Sequence, residues 1–152
     1  MASFTPANPE FEARVRDSFA RQRAMATIGA RLASVRAGEV EIELAYREEL
    51  TQQHRFIHGG IVGMLADNAR GYAAFTLMPA DASVVSVEYK VNFLAPAEGE
   101  RLVARARVLR PGRTLIVAEA EVVAIKDGRE TQVAACLATV MTLHGRDDGP
   151  RG

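Results

Sequence analysis

The sequence predicts an α+β domain in which one long, buried helix is wrapped by a curved antiparallel sheet of five to six strands, with an amphipathic helix in front. Three observations carry that expectation. Four strand-like runs follow one another from Ser83 to Leu143 with only short turns between them. A single long apolar helical stretch, from about Gly59 to Met78, precedes them, and a strictly alternating segment from Glu39 to Tyr46 lies ahead of that. Consecutive strands joined by short turns pair antiparallel, and a lone buried helix needs a sheet that curls around it.

In chain order, Phe11, Val15 and Phe19 recur every four residues after Pro9 with charges between them, which predicts an amphipathic helix over residues 9–25. From Glu39 the period changes to two: Val40, Ile42, Leu44 and Tyr46 share one face, Glu39, Glu41 and Glu43 the other. Residues 27–36 are the expected partner strand, through a turn at Arg36-Ala37-Gly38, and Arg47 to Gln53 reads as a loop. The Gly59 helix carries few charges beyond Asp67 and Arg70 and stops before Pro79, so burial nearly all round is expected. The later strands are expected at 83–94, 101–110, 115–126 and 130–143, broken by Pro96-Ala97-Glu98-Gly99, Pro111-Gly112 and Asp127-Gly128. Residues 1–8 are expected to be flexible, 9–143 to form one domain, and 144–152, without an apolar anchor, to be disordered.

Composition narrows the function classes. With 152 residues, 48% of them hydrophobic, the chain can fill one core but not two. Lysine plus arginine and aspartate plus glutamate each total 19, so no global field draws in nucleic acid or an anionic membrane. No apolar run approaches the roughly 18–20 residues of a membrane span, and the N-terminus lacks the apolar block of a secretory signal; a cytoplasmic location is expected. Arg14, Arg16, Arg21 and Arg23 are interspersed with Glu10, Glu12 and Asp17, unlike a transit peptide. Cys136 is the only cysteine, and the histidines at 54, 58 and 144 form no i, i+4 pair, so neither a disulfide framework nor a metal site is expected.

The stretch HGGIVGMLAD, residues 58–67, opens a helix on two glycines and places an acid two turns on. Glycine costs a helix about 1 kcal/mol relative to alanine, so a pair at the start suggests that something needs close access to the backbone. The first helical turn presents N–H groups without internal partners, and Gly59 and Gly60 leave them unshielded, a setting that polarises a carbonyl oxygen. Asp67 supplies the complementary base or nucleophile. The two lie eight residues apart, roughly 12 Å along the axis, so one carbonyl cannot meet both. If both act on one substrate, the acid comes from a second copy of the helix across a two-fold axis, which predicts an obligate dimer. A tight turn and an Asp67–Arg70 pair would account for the same residues without chemistry.

With those residues in view, HGGIVGMLAD resembles the signature of hotdog-fold acyl-CoA thioesterases of the phenylacetate-degradation (PaaI-like) type. The segment SVEYKVNFLAPAEGERLVARARVLRPGRTLIVAEAEV, residues 86–122, resembles the strands that follow in that family. The resemblance implies hydrolysis of acyl-CoA to free acid and coenzyme A, without a cofactor, in a homodimer with sites at the subunit interface that pairs again into a dimer of dimers. It implies that Gly59, with Gly60 beside it, polarises the thioester carbonyl. Asp67 is then base or nucleophile, Gln52, six residues before His58, lines the site, and Ser86 positions water. Gly71 stands where a branch acting on hydroxybenzoyl-CoA carries threonine, and Arg70 lies outside the motif.

Other residues take lesser parts. His58 is expected to orient the loop with its ring more than to act as a base, and His54 to line the pocket. Met64, Leu65, Tyr72 and Phe75 lie near Asp67 along the helix and divide between an acyl tunnel and core, while Lys90, Arg110 and Arg113 are candidates for the phosphates of coenzyme A. Medium- to long-chain or aromatic acyl groups are expected. The rival readings are a hotdog hydratase or dehydratase, which uses a histidine–acid pair, and an acyl-CoA or lipid binder without turnover.

Overall fold

Small side chains on the inner face of the sheet decide how closely it wraps the helix. The computed structural model describes residues 4–150. It contains α1 (Phe11–Ala20), α2 (Arg23–Ile28), β1 (Ala30–Arg36), β2 (Glu39–Ala45), α3 (Gly59–Phe75), β3 (Ser83–Phe93), β4 (Arg101–Pro111), β5 (Leu115–Lys126) and β6 (Arg129–Leu143). The six strands form one sheet in the order β1-β2-β4-β5-β6-β3, antiparallel at every pairing. β3 therefore lies at the opposite edge from β1, beside the last strand rather than beside β4.

Register places the inner residues in layers across the sheet. Ile42, Ala104, Val122 and Ala134 stand opposite one another in turn, as do Val40, Ala106, Ala120 and Cys136. All eight are buried, and the alanines leave room for α3, whose own Ala66, Ala69, Ala73 and Ala74 face inward without exposure. On the outer face the same registers align charges: Arg105 reaches Glu41, Glu121 and Glu130, and Arg107 reaches Glu119. The alternation that begins at Glu39 thus separates core from solvent across the middle of the sheet.

Several expectations change. The N-terminal helix is two helices, because Gln22 takes an extended ψ of 100° and breaks it. On one straight helix Met25 and Ile28 would lie off the Val15–Phe19 face; the break turns all four into the core. α2 then ends on Gly29 at φ 80°, so β1 starts at Ala30 rather than at 27. Tyr46 falls beyond the end of β2, 36% exposed, and its hydroxyl donates to the Arg55 carbonyl. α3 is not buried all round either: Gly60, Ile61, Met64, Asp67, Asn68 and Gly71 form a partly open stripe down one side.

Both ends make contacts that composition did not suggest. Phe4 packs beside Gly38 in the β1–β2 turn, Asn8 is buried, and the Ala7 amide donates to the Leu77 carbonyl. In the C-terminal tail Asp148 pairs with Arg21 at 3.0 Å, and His144 Nε2 lies 3.0 Å from the Arg113 carbonyl. Residues 1–3 and 151–152, also expected to be flexible, lie outside the described residues. Among the described residues no helix is long and apolar enough to cross a membrane.

The packing account gives a direct test. Ala104→Leu forces extra volume between β4 and α3 and is expected to destabilise the protein by about 1–3 kcal/mol, read from the urea unfolding midpoint. An unchanged midpoint would mean that the alanine layer does not set the helix–sheet distance.

Candidate active site

The start of α3 shows why two glycines are needed. His58 is the N-cap, and its Nδ1 accepts from the Gly60 amide at 2.9 Å. A Cβ on residue 60 would stand 3.1 Å from that nitrogen, so glycine keeps the cap close. The His58 carbonyl accepts from the Ile61 and Val62 amides at 2.9 and 3.2 Å. Gly60, expected to share the oxyanion role, has therefore committed its N–H to the cap. The Gly59 N–H meets no acceptor among the described residues and remains the free donor at the positive end of the helix. A Cβ on Gly59 would stand 3.2 Å from Phe93 Cζ, so this glycine lets the β3 end approach.

Gln52 is held in the loop before the helix, its amide N–H donating to the Phe56 carbonyl and its side-chain oxygen accepting from the His54 amide. It shares with Gly59 a cavity of about 410 Å³ whose other walls are apolar, among them Phe56, Val62, Phe93, Leu94 and Val133. This brings Gln52 and Gly59 together as expected. Phe93 and Leu94, in the FLAPA strand end, carry no sequence signal of their own that separates them from ordinary strand residues.

Asp67 opens into a different cavity, of about 360 Å³, with Ser86, Asn68, Gly71, Tyr72 and Val84 on its walls. Arg70, one helical turn on, donates through Nη2 to Asp67 Oδ1 and, at 3.2 Å, to Ser86 Oγ. Ser86 Oγ in turn donates to Asp67 Oδ1 at 3.2 Å. Ser86 does reach the acid, its hydroxyl donating to Asp67 and accepting from Arg70, which leaves one acceptor lone pair. No hydrogen bond reaches Asp67 Oδ2 among the described residues, and 32% of the side chain is exposed. At the far side of this cavity the Tyr72 hydroxyl lies 3.1 Å from Ser18 Oγ and accepts from Gln22 Nε2 at 2.8 Å. Burial pushes the Tyr72 phenol above its ordinary pKa and keeps it neutral. Ser18, Gln22 and Asp148 come from remote segments, and no spacing in the sequence joins them to Asp67.

Other expected site residues fall elsewhere. Phe75 is buried core, edge-on to Tyr72 and covered by the Arg14 guanidinium at 4.0 Å, so it lines no tunnel. His54 is exposed and Met64 half-buried on the open stripe of α3; neither lines the two cavities. Lys90, Arg110 and Arg113 are exposed and also line neither. A third concavity, about 430 Å³, lies among the paired charges Arg36, Glu39, Arg105, Arg107 and Glu119 and holds none of the expected site residues.

The cap assignment predicts that His58→Ala costs about 0.5–2 kcal/mol, whereas His58→Asn, which can also accept from the second helical N–H, costs less. Denaturant unfolding of the two variants checks this; equal losses would contradict a capping role.

Comparison with known proteins places this geometry. The thioesterase superfamily profile matches residues 54–131, from the loop before α3 into β6. A thioesterase family protein from Silicibacter pomeroyi superposes with a TM-score of 0.88 at 54% identity, covering 89% of this chain and 99% of that one. The Escherichia coli PaaI protein of the phenylacetic acid degradation operon shares the fold, with a TM-score of 0.81 at 19% identity over 93% of this chain and 99% of that one. The 1,4-dihydroxy-2-naphthoyl-CoA hydrolase of Listeria monocytogenes is 29% identical over 112 residues, 74% of this chain and 87% of its own. Helix wrapped by sheet, glycine-led helix start and downstream acid together agree with that match: the chain belongs to the thioesterase superfamily and is a thioester hydrolase of the hotdog fold.

Proposed function

We propose that the protein hydrolyses medium- to long-chain or aromatic acyl-CoA to the free acid and coenzyme A, at sites shared between two subunits. One observation carries this reading. The free donor at Gly59 and the free carboxylate oxygen of Asp67 sit on one helix yet open into separate cavities, each holding half of what the reaction needs. The Gly59 N–H and the helix dipole stabilise the oxygen of the tetrahedral intermediate. Asp67 Oδ2 either takes a proton from the attacking water or attacks the carbonyl itself, in which case water afterwards hydrolyses the acyl–Asp67 anhydride to the free acid; on both routes the C–S bond breaks, and the coenzyme A thiolate leaves and takes up a proton. The apolar walls around Gly59 suit an acyl group, and no cofactor is called for beyond the coenzyme A of the substrate.

Two features support a two-fold partner that completes each site. β3 is an edge strand whose Val85, Val87, Tyr89 and Phe93, followed by Leu94, are 45–59% exposed, an arrangement that invites pairing with another strand. The partly open stripe of α3 lies on the same helix as Asp67. A two-fold axis that pairs β3 with its copy sets the two α3 helices antiparallel and carries the Asp67 of one toward the Gly59 of the other. Exposed Leu109, Leu115 and Leu137 leave further apolar surface for the dimer to pair again. Arg110, Arg113 and Lys90 remain candidates for the phosphates of coenzyme A.

Release of free thiol from a panel of acyl-CoA esters, short aliphatic through long aliphatic and aromatic, tests the reading. Asp67→Asn keeps size and removes charge, and is expected to lower kcat/KM by about 100-fold or more. Gly59→Pro removes the proposed donor at a position whose backbone suits proline, first in the helix after His58 with φ −58° and ψ 136°; its ring also presses on Phe93, so Gly59→Ala, which adds the Cβ but keeps the N–H, is the control. A loss of about 100- to 1000-fold is expected for the proline variant. Wild-type rates in both Asp67→Asn and Gly59→Pro would contradict the site; a hydrated enoyl product would favour the hydratase reading, and binding without turnover the binder.

A further inference from the structure

Arg70 is the one arginine without solvent exposure among the described residues, and its environment does not repay that burial. Two of its three nitrogens, Nε and Nη1, have no hydrogen-bond partner. Only Nη2 is used, on Asp67 and Ser86, while the Tyr89 ring lies 5.0 Å from the guanidinium. Taking a charge out of water costs several kcal/mol, and an apolar side chain of similar volume commonly serves a fold as well or better. What the arrangement does achieve is local. Asp67 Oδ1 receives both available hydrogen bonds, from Arg70 Nη2 and Ser86 Oγ, and Oδ2 receives none.

We propose that Arg70 is a positioning residue for the hydrolysis: with Ser86 it pins Oδ1 of Asp67 against β3 and so presents Oδ2 as the single reacting oxygen. A carboxylate held at one oxygen by two donors cannot exchange its oxygens or swing along the open stripe of α3. The side chain acts through Asp67 and does not itself meet the thioester, since it has no exposed surface. This inference rests on the assignment of the chemistry to Asp67, and its failure is separable from failure of that assignment.

The test compares Arg70→Met, which keeps length and apolar volume without charge, with Arg70→Lys, Ser86→Ala and Asp67→Asn, measuring kcat and KM separately together with Tm. For Arg70→Met, kcat is expected to fall by about 100-fold, with KM changed less than about 3-fold because the lost interaction orders the transition state rather than binding substrate. Tm is expected to stay level or rise, since two unpaired donors are removed. Arg70→Lys should recover part of kcat, and Ser86→Ala, which removes one of the two anchors, should lose about 10-fold in kcat with an unchanged fold. A merely structural arginine would show the reverse: a lower Tm and native kcat in the folded fraction. Native kcat in Arg70→Met beside an inactive Asp67→Asn overturns the positioning role alone, whereas an active Asp67→Asn overturns the underlying assignment. Should Arg70→Met fail to fold, Ser86→Ala decides, and native kcat in that variant overturns the proposal.

Discussion

A helix rises about 1.5 Å per residue, and on α3 that rise keeps apart the two groups proposed to carry thioester hydrolysis. The free amide of Gly59 and the acid at Asp67 are held by one rigid element and cannot approach each other within one chain. The consequences reach well beyond the helix. The cavity beside Gly59 has apolar walls and a hydrogen-bond donor but no acid, and the cavity beside Asp67 has the acid but not that donor. On the proposed mechanism a complete site therefore calls for a second subunit, and the exposed apolar edge of β3 is the surface proposed for it to cover.

The rest of the fold holds that helix in place. Alanine-rich layers on β4, β5 and β6 let the sheet lie close against α3 along most of its length, while β2 and β4 contribute larger residues such as Ile42 and Leu102 at the flank. α1 braces the far end: the Arg14 guanidinium donates to the carbonyls of Pro79 and Ala82, across the turn between α3 and β3. β3 then runs along the open side of the helix, touching it with Phe93 at Gly59 and with Ser86 at Asp67. One strand thus contacts both halves of the proposed site, and the same strand is an edge of the sheet.

Much of this was legible in the sequence because it is written in local periodicity. Alternation from Glu39, the apolar run after Gly59 and the Pro- and Gly-containing breaks locate the elements to within a few residues. The Gly-Gly start with its distant acid points to the two halves of the proposed site. What escaped depends on contacts between remote segments. Nothing near Asp148 indicates that it meets Arg21, and nothing near Gln22 indicates that it breaks a helix and bonds Tyr72. The split of labour between the two glycines was equally hidden. It depends on the direction of the His58 ring, which fixes Gly60 as cap and leaves Gly59 as donor. Arg70 was visible as a neighbour of Asp67 one turn away, but its burial depends on β3, which brings Ser86 and Tyr89 against it from a remote segment.

The central claim, that each site takes its donor from one subunit and its acid from the other, is tested most directly by complementation between two inactive variants. Gly59→Pro and Asp67→Asn chains carrying different tags are co-expressed, and the hybrid dimer is purified through both tags and assayed for thiol release. Shared sites put both substitutions into one site of the hybrid and leave the other site intact, so about half of the wild-type activity per dimer is predicted to return. A hybrid as inactive as its parents would contradict the account, because it would mean that each site draws its donor and its acid from the same chain.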